Sequence, residues 1–240
     1  VPTQDMVLGS YYLTIEKDGV KGEGNVYSSP EEAIMAYNEG YVDLHAKIKV
    51  RVTKTIDGKK QSKIINATVG RIIFNEAIPQ NLGFIDRSMP DRQFELEITF
   101  LVDRKALAKI VDRCIKVEGT TKTAVVLDKI KALGFKYSTR GAITIGVSDM
   151  IIPEVKQKYL AEAEEKIENI IRQFKRGLIS DEERYNSVIT AWTEAGENIT
   201  RALMDNLDKF NPLYMMSNSG ARGNINQIKQ LAGMRGLMAD

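Results

Sequence analysis

Two arginines near the end of the chain, Arg222 and Arg235, stand among glycines and alanines, in Ser219-Gly220-Ala221-Arg222-Gly223 and in Leu231-Ala232-Gly233-Met234-Arg235-Gly236-Leu237-Met238-Ala239. No acidic residue follows Arg222 until Asp240. A guanidinium with small neighbours and no local carboxylate is free to grip an anion. Phosphate suits it best, through two parallel N–H bonds, and small residues let a backbone approach the ligand closely. Gln227, on the short amphipathic stretch between the two arginines, can add an amide; Lys229 on the same stretch reads as solvated helix surface. A second set, Glu183, Tyr185 and Asn186, opens a long helical pattern directly after a glycine-containing connection. These side chains suit contact with a protein partner, although acids in a first turn also complement the helix dipole.

Chemistry that needs a constellation finds none. His45 is the one histidine and opens an alternating run, so a structural role is expected. Cys114 lies mid-helix beside Arg113, and a single flanking arginine is a weak activator of a thiol. No Cys/His spacing fits a metal, and no Gly-x-x-x-x-Gly-Lys-Ser/Thr loop occurs, so Gly220 to Gly223 is not a Walker loop. Glu162, Glu164, Glu165 and Glu168 crowd one helix without a histidine and read as solvated charge. Neither a catalytic residue nor a metal ligand is assigned.

The 240 residues are enough for one large or two modest domains, and 43% hydrophobic with 28% charged residues is ordinary for a globular chain. A net charge of +2 gives no global case for nucleic acid or membrane. One cysteine permits no internal disulfide and suits a reducing compartment. No apolar run approaches the roughly 20 residues of a membrane span. The chain opens on Val1 without a signal-peptide pattern and reads as a piece of something longer.

The elements that must position these residues follow from local signals. Thr3 is expected to cap a helix from Gln4 to about Leu13. Ser28-Ser29-Pro30-Glu31-Glu32 is a helix start, ending near Gly40. His45 to Val52 alternates as a half-buried strand, Ile56-Asp57-Gly58-Lys59 signals a hairpin turn, and a return strand is expected around Ile64-Ile65. Thr68 opens a short helix stopped by Pro79. Phe94 to Phe100 alternates and is expected to be another strand. Two helices follow, Asp103 to about Val117 and Thr123 to about Leu133, with Gly119 and Gly134 as stops.

Pro153 to Arg176 and Ser180 to Asp208 predict something different. Leu160, Ala163, Ile167, Ile170 and Phe174, and then Tyr185, Val188, Trp192, Ala195, Ile199 and Ala202, fall at heptad spacing. The short link Gly177-Leu178-Ile179 forces the two helices antiparallel, and the first alone would run roughly 35 Å. Residues 153–209 hold 12 acidic and 9 basic residues, net −3, against 25 basic and 20 acidic in the remainder, net +5. That favours a protein-docking arm over a nucleic-acid clamp.

Several runs also resemble, in order, the largest (β′) subunit of bacterial multisubunit RNA polymerase. They are Gln4-Asp5-Met6-Val7-Leu8-Gly9 with Tyr11-Tyr12-Leu13-Thr14, Gly22-Glu23-Gly24, Leu44-His45-Ala46-Lys47 and Thr68-Val69-Gly70-Arg71 through Pro79. Asp149-Met150-Ile151-Ile152-Pro153-Glu154, Glu183-Arg184-Tyr185-Asn186, Met204-Asp205-Asn206-Leu207 and the closing Ser-Gly-Ala-Arg-Gly and Gln-Leu-Ala-Gly-Met-Arg-Gly-Leu-Met runs complete the series. The resemblance covers essentially the whole chain. It implies the pore and funnel of the secondary channel, through which nucleoside triphosphates reach the active centre, with the helical hairpin as rim helices where transcript-cleavage factors dock. Arg222, Gln227 and Arg235 would then face the substrate channel, and Glu183, Tyr185 and Asn186 a partner.

The same resemblance implies an enzyme, a DNA-directed RNA polymerase (a nucleotidyltransferase), acting with β, α, ω and σ subunits, DNA, RNA and NTPs in the bacterial cytoplasm. The family's magnesium-binding motif, Asn-Ala-Asp-Phe-Asp-Gly-Asp, is missing here, so no cofactor is expected in this chain, magnesium is expected in the intact polymerase, and this piece alone is expected to be inactive. Ser187 and Thr190 stand where relatives carry charged residues, so the alarmone-dependent part of the pattern is not carried over. The expected fold is α+β: an irregular mixed base over 1–148, a funnel with a coiled-coil hairpin over 149–210, and a loop segment over 211–240. The alternative reading is a self-contained coiled-coil adaptor or assembly protein.

Overall fold

A computed structural model describes residues 2–56 and 58–238. The fold is α+β, as expected, and divides into two compact units: residues 1–143 with 219–222, and residues 144–218 with 223–240.

Most helices begin where a side-chain oxygen can take the first free amides. In α2 (Pro30–Asn38) Ser29 accepts from Glu32 N, and in α3 (Val69–Glu76) Thr68 accepts from Arg71 N. In α4 (Arg104–Gly141) Asp103 accepts from Ala106 N at 2.7 Å. The first helix, α1 (Asp5–Thr14), departs from this: its cap is Gln4, at φ 50° and ψ −120°, and no side chain caps it. Thr3 contributes its carbonyl, to Met6 N, rather than its hydroxyl.

The first unit is built around a small sheet in the order β1 (Val26–Tyr27), β2 (Ile48–Ile56), β3 (Lys59–Ala67), with β1 parallel and β3 antiparallel to β2. Ile48 faces Ala67 and Val50 faces Ile65 across the ladder. Ile48, Val50 and Ala67 join Leu13, Phe74, Ile98, Leu107 and Ile110 in the core, and Ile65 is buried opposite Val50. The ladder closes with Ile56 opposite Lys59, and Gly58 takes φ 75°; Asp57 of the expected turn lies outside the described residues. Strand β2 begins three residues later than expected, because His45 turns into the core with its ring nitrogen 3.2 Å from the Ile15 carbonyl.

Two expectations fail for tertiary reasons. Phe94–Phe100 is not a strand. Its amides pair with side chains instead: Ile98 N donates to Asn75 Oδ1 at 2.9 Å while the Ile98 carbonyl accepts from Asn75 Nδ2 at 2.9 Å, and Glu97 N donates to Gln80 Oε1 at 3.1 Å. The two amides thus satisfy these backbone groups as a neighbouring strand would. Nor does Gly134 stop a helix. Helix α4 kinks at Gly119 (φ 77°) and runs on to Gly141, and Gly134 is where α1 crosses it. A Cβ on Gly134 would lie 2.6 Å from Met6 Cα, and one on Gly9 would lie 1.9 Å from the Gly134 carbonyl oxygen.

The second unit holds α5 (Lys156–Lys175), α6 (Asp181–Asn206), α7 (Pro212–Asn218) and α8 (Ile225–Ala232). Helices α5 and α6 form the expected hairpin. Its buried line runs through Ala163 on one side and Ala191, Ala195, Ile199 and Leu203 on the other. Tyr185 is not part of that seam, being 59% exposed; the first buried residue of α6 is Ala191. Leu203, Leu207, Leu213, Ile228 and Ala232 form a second small core. Among the described residues no helix is long and apolar enough to cross a membrane.

Candidate functional site

Arg222 belongs to the first unit, and the small residues before it explain how. Ser219 is fully buried; its carbonyl accepts from Arg104 N at 2.9 Å, and its hydroxyl accepts from Ala221 N at 3.2 Å. Gly220 takes φ 72°, and a Cβ there would sit 3.2 Å from Arg104 Cβ, so both conformation and space select glycine. Ala221 packs on the core. This pins the segment and leaves Arg222 exposed beyond it, where its Nη2 donates to Gln4 Oε1 at 3.1 Å. Among the described residues Arg222 makes no ion pair, so the charge is held at one corner of the guanidinium and is otherwise uncompensated. Gln4, whose backbone takes φ 50°, was missed from sequence as a site residue; the one signal was its place directly before Asp5 at a helix start.

Gln227 and Arg235 belong to the second unit, described separately from Arg222. Gln227 is occupied: its Oε1 accepts from Asn224 N at 3.0 Å while its own N–H donates to Asn224 Oδ1 at 2.9 Å, a capping box for α8. The residue as a whole is exposed. Arg235 lies in the irregular segment after α8, exposed and without an ion pair among the described residues. Lys229 lies over Gly196 of α6, its Nζ 3.7 Å from where a Cβ would be.

At the start of α6 Glu183 is likewise engaged locally. Its Oε2 accepts from Ser180 N at 2.8 Å and from Ser180 Oγ at 3.1 Å, and these bonds hold its carboxyl below the usual carboxylate range. Asn186 and Tyr185 are exposed. Asn186 lines an open groove between α5 and α6 together with Asn169, Ser187, Thr190, Lys166 and Glu194, the last two paired across the helices at 3.5 Å. Three residues there went unassigned from sequence. Arg184 stacks 5.2 Å from the Phe174 ring centroid and binds Asp181 through Nε and Nη2, and Leu178 of the connection is 68% exposed. An apolar residue in a glycine-ended helix connection was the available signal.

The other reactive groups are embedded. His45 is buried edge-on to Tyr12, 4.6 Å between centroids, and burial pushes its pKa down. Cys114 is buried, and burial pushes its thiol up, away from the reactive thiolate.

Comparison with known sequences gives a family. Residues 1–150 match the family described as RNA polymerase Rpb1, domain 3, and residues 179–240 match RNA polymerase Rpb1, domain 4. The chain is 72% identical over 240 residues to the DNA-directed RNA polymerase subunit beta′ of Acetivibrio thermocellus. It is 64% identical over 239 residues to that of Thermoanaerobacter pseudethanolicus and 59% identical over 240 residues to that of Clostridium novyi. Each alignment covers 100% of this chain but 20–21% of the relative, so the chain spans about a fifth of the length of the curated relatives it matches.

Proposed function

The chain belongs to the bacterial RNA polymerase β′ subunit family, and on that premise we propose that it lines the secondary channel of a DNA-directed RNA polymerase and offers its helical hairpin to channel-binding factors. In this reading the intact enzyme is a cytoplasmic nucleotidyltransferase that assembles with β, α, ω and σ subunits and acts on NTPs, DNA and RNA. The observation that carries the reading is Arg222: a cation held by Gln4 at one nitrogen, exposed, and without a carboxylate partner among the described residues. Such a group can take a triphosphate oxygen pair without first breaking a salt bridge. On the second unit, Arg235 supplies an exposed cation without an ion pair among the described residues, and Gln227 an exposed amide side chain.

The magnesium implied for the intact enzyme does not fit these residues. Among the described residues no three His, Cys, Asp or Glu side chains gather closely enough to hold an ion. The contribution proposed for this chain is electrostatic attraction and orientation of substrate, and no chemical step is assigned to it. A self-contained coiled-coil adaptor leaves unexplained the similarity to β′ subunits across all 240 residues, most of which lie outside the hairpin.

The test uses the whole subunit reconstituted into polymerase. Replacing Arg222→Ala is expected to raise KM for NTPs about tenfold, the loss of one charge-assisted hydrogen-bonding group, with assembly intact. An unchanged KM would remove Arg222 from the substrate path. For the hairpin, Tyr185→Ala with Asn186→Ala should weaken binding of a cognate cleavage factor without lowering the melting temperature; undiminished binding would overturn that assignment.

A further inference from the structure

The chain's net charge of +2 hides a concentration. Residues 48–67, the β2–β3 ribbon with its turn, hold six lysines and arginines and one aspartate, net +5, while the other 220 residues hold 28 basic and 31 acidic residues, net −3. The ladder register sorts this charge onto faces. One face buries Ile48, Val50, Ile65 and Ala67 at its base, and Lys54 reaches from it to the Gln93 carbonyl at 2.8 Å. The other face sets Lys49 opposite Asn66, Arg51 opposite Ile64, Thr53 opposite Ser62 and Thr55 opposite Lys60. All eight are exposed. Lys49, Arg51 and Lys60 make no ion pair or side-chain hydrogen bond among the described residues, and none of the eight paired residues on their face is acidic. Acids flank the ribbon's base: Glu16 pairs with Arg71 and Asp18 with Lys47, Glu23 accepts from the Gly19 amide, and Glu95 lines a cavity with Ile64 and Asn66.

We infer that this outward face binds the phosphodiester backbone of a single nucleic-acid strand. Cations two residues apart on a strand stand about 7 Å from each other, close to the step between successive phosphates of an extended strand. Thr53, Thr55, Ser62 and Asn66 supply the neutral donors that accompany lysine and arginine at phosphate oxygens. A protein partner fits less well, because interface cores are depleted in lysine and enriched in aromatic residues, whereas this face is aromatic-free and its one large apolar side chain is Ile64. Without an aromatic platform the bases are not gripped, so binding is independent of sequence and strongly dependent on salt. The inference is independent of the role proposed for Arg222, which lies outside the ribbon.

The experiment measures anisotropy of a labelled oligothymidylate with the 240-residue chain across a salt series. The triple variant Lys49→Gln, Arg51→Gln, Lys60→Gln is expected to bind at least about tenfold more weakly at low salt, and its log–log salt slope should be shallower by about two, the value for three lost contacts to a single strand. The charge-keeping pair Lys49→Arg, Lys60→Arg should keep the parent slope. Lys158→Gln, Arg172→Gln, Lys175→Gln on α5, an equal loss of charge elsewhere, should leave binding unchanged. No binding by the parent chain, loss of binding in the charge-keeping pair, or equal loss in the α5 variant would overturn the proposal. So would equally effective displacement by polyglutamate at matched charge, which would identify an acidic polypeptide as the partner.

Discussion

The chain carries two hairpins, one of strands and one of helices, and they treat charge in opposite ways. In the helical hairpin opposite charges meet locally: Lys158 with Glu162, Arg172 with Glu168, Lys166 with Glu194, Arg184 with Asp181. Such exposed pairs contribute little stability, about 0–1 kcal/mol each, but they leave the surface solvated and self-neutralised. The β2–β3 ribbon gathers one sign and leaves it uncompensated on its outward face. Anchoring differs as well. The ribbon takes its stability from the core beneath its base, whereas the helices bury a narrow seam against each other, with Leu203 at its foot joining the second small core. Uncompensated charge on a firmly seated sheet is an invitation to a ligand; compensated charge on a self-contained helix pair leaves recognition to its exposed apolar and amide groups.

The sharpest way to break this contrast is to empty the helical seam. Ile199 is fully buried, and Ile199→Ala is expected to cost about 2–5 kcal/mol. Denaturant unfolding followed by fluorescence of Trp192, the single tryptophan, would report it. Amide exchange of β2 and β3 should not change; if it does, the hairpin is not energetically self-contained. A smaller effect is expected at the cap. Ser180→Ala removes the hydroxyl half of the box, leaving Glu183 on the backbone amide of residue 180, and should cost about 1 kcal/mol, read as fraying of the first turn of α6.

Acid separates the two hairpins further. Burial lowers the pKa of His45, three residues before the ribbon, so the unfolded chain binds a proton that the folded chain resists. The stability this group permits is complete above its ordinary value of about 6.5 and is lost as pH falls from there toward the depressed folded value. Glu183 has the same sign at lower pH: its bonds to Ser180 depress its pKa, so the cap persists above the ordinary carboxylate value and is lost as pH falls through the folded one. Mild acidification should therefore speed amide exchange around β2 while the Trp192 signal holds, and His45→Gln should flatten the response. Simultaneous loss of both signals would refute the separation. The smallest stability effect belongs to the ribbon's outward charges: Lys60→Gln should change stability by no more than about 0.5 kcal/mol, so a larger loss would mean the charge serves the fold rather than a ligand.

Signals confined to a few residues were readable without the fold. The starts of α2, α3, α4 and α6 at Ser29, Thr68, Asp103 and Ser180 need only a side chain reaching an amide two or three residues on. The helical hairpin was readable for the same reason, since one heptad pattern and a three-residue link dictate antiparallel packing. Arg222 could be singled out by its small neighbours, yet its hydrogen bond to Gln4 spans 218 positions and leaves no local trace. The ribbon's basic residues were visible one by one, but the near-zero total masked them until the register assigned each to a face.

Amino-acid order therefore determined the helix starts, the hairpins and the family pattern, because these depend on contacts a few residues apart or on residue identity alone. The tertiary structure decided the rest. Gly134 could end a helix or admit another, and α1 crossing at Gly9 made it a crossing. Phe94–Phe100 could pair with a strand, and the amides of Asn75 and Gln80 took those bonds instead. In both cases the local backbone tolerates either outcome, and the free energy that selects one comes from groups distant in sequence that must be satisfied or packed at the same time.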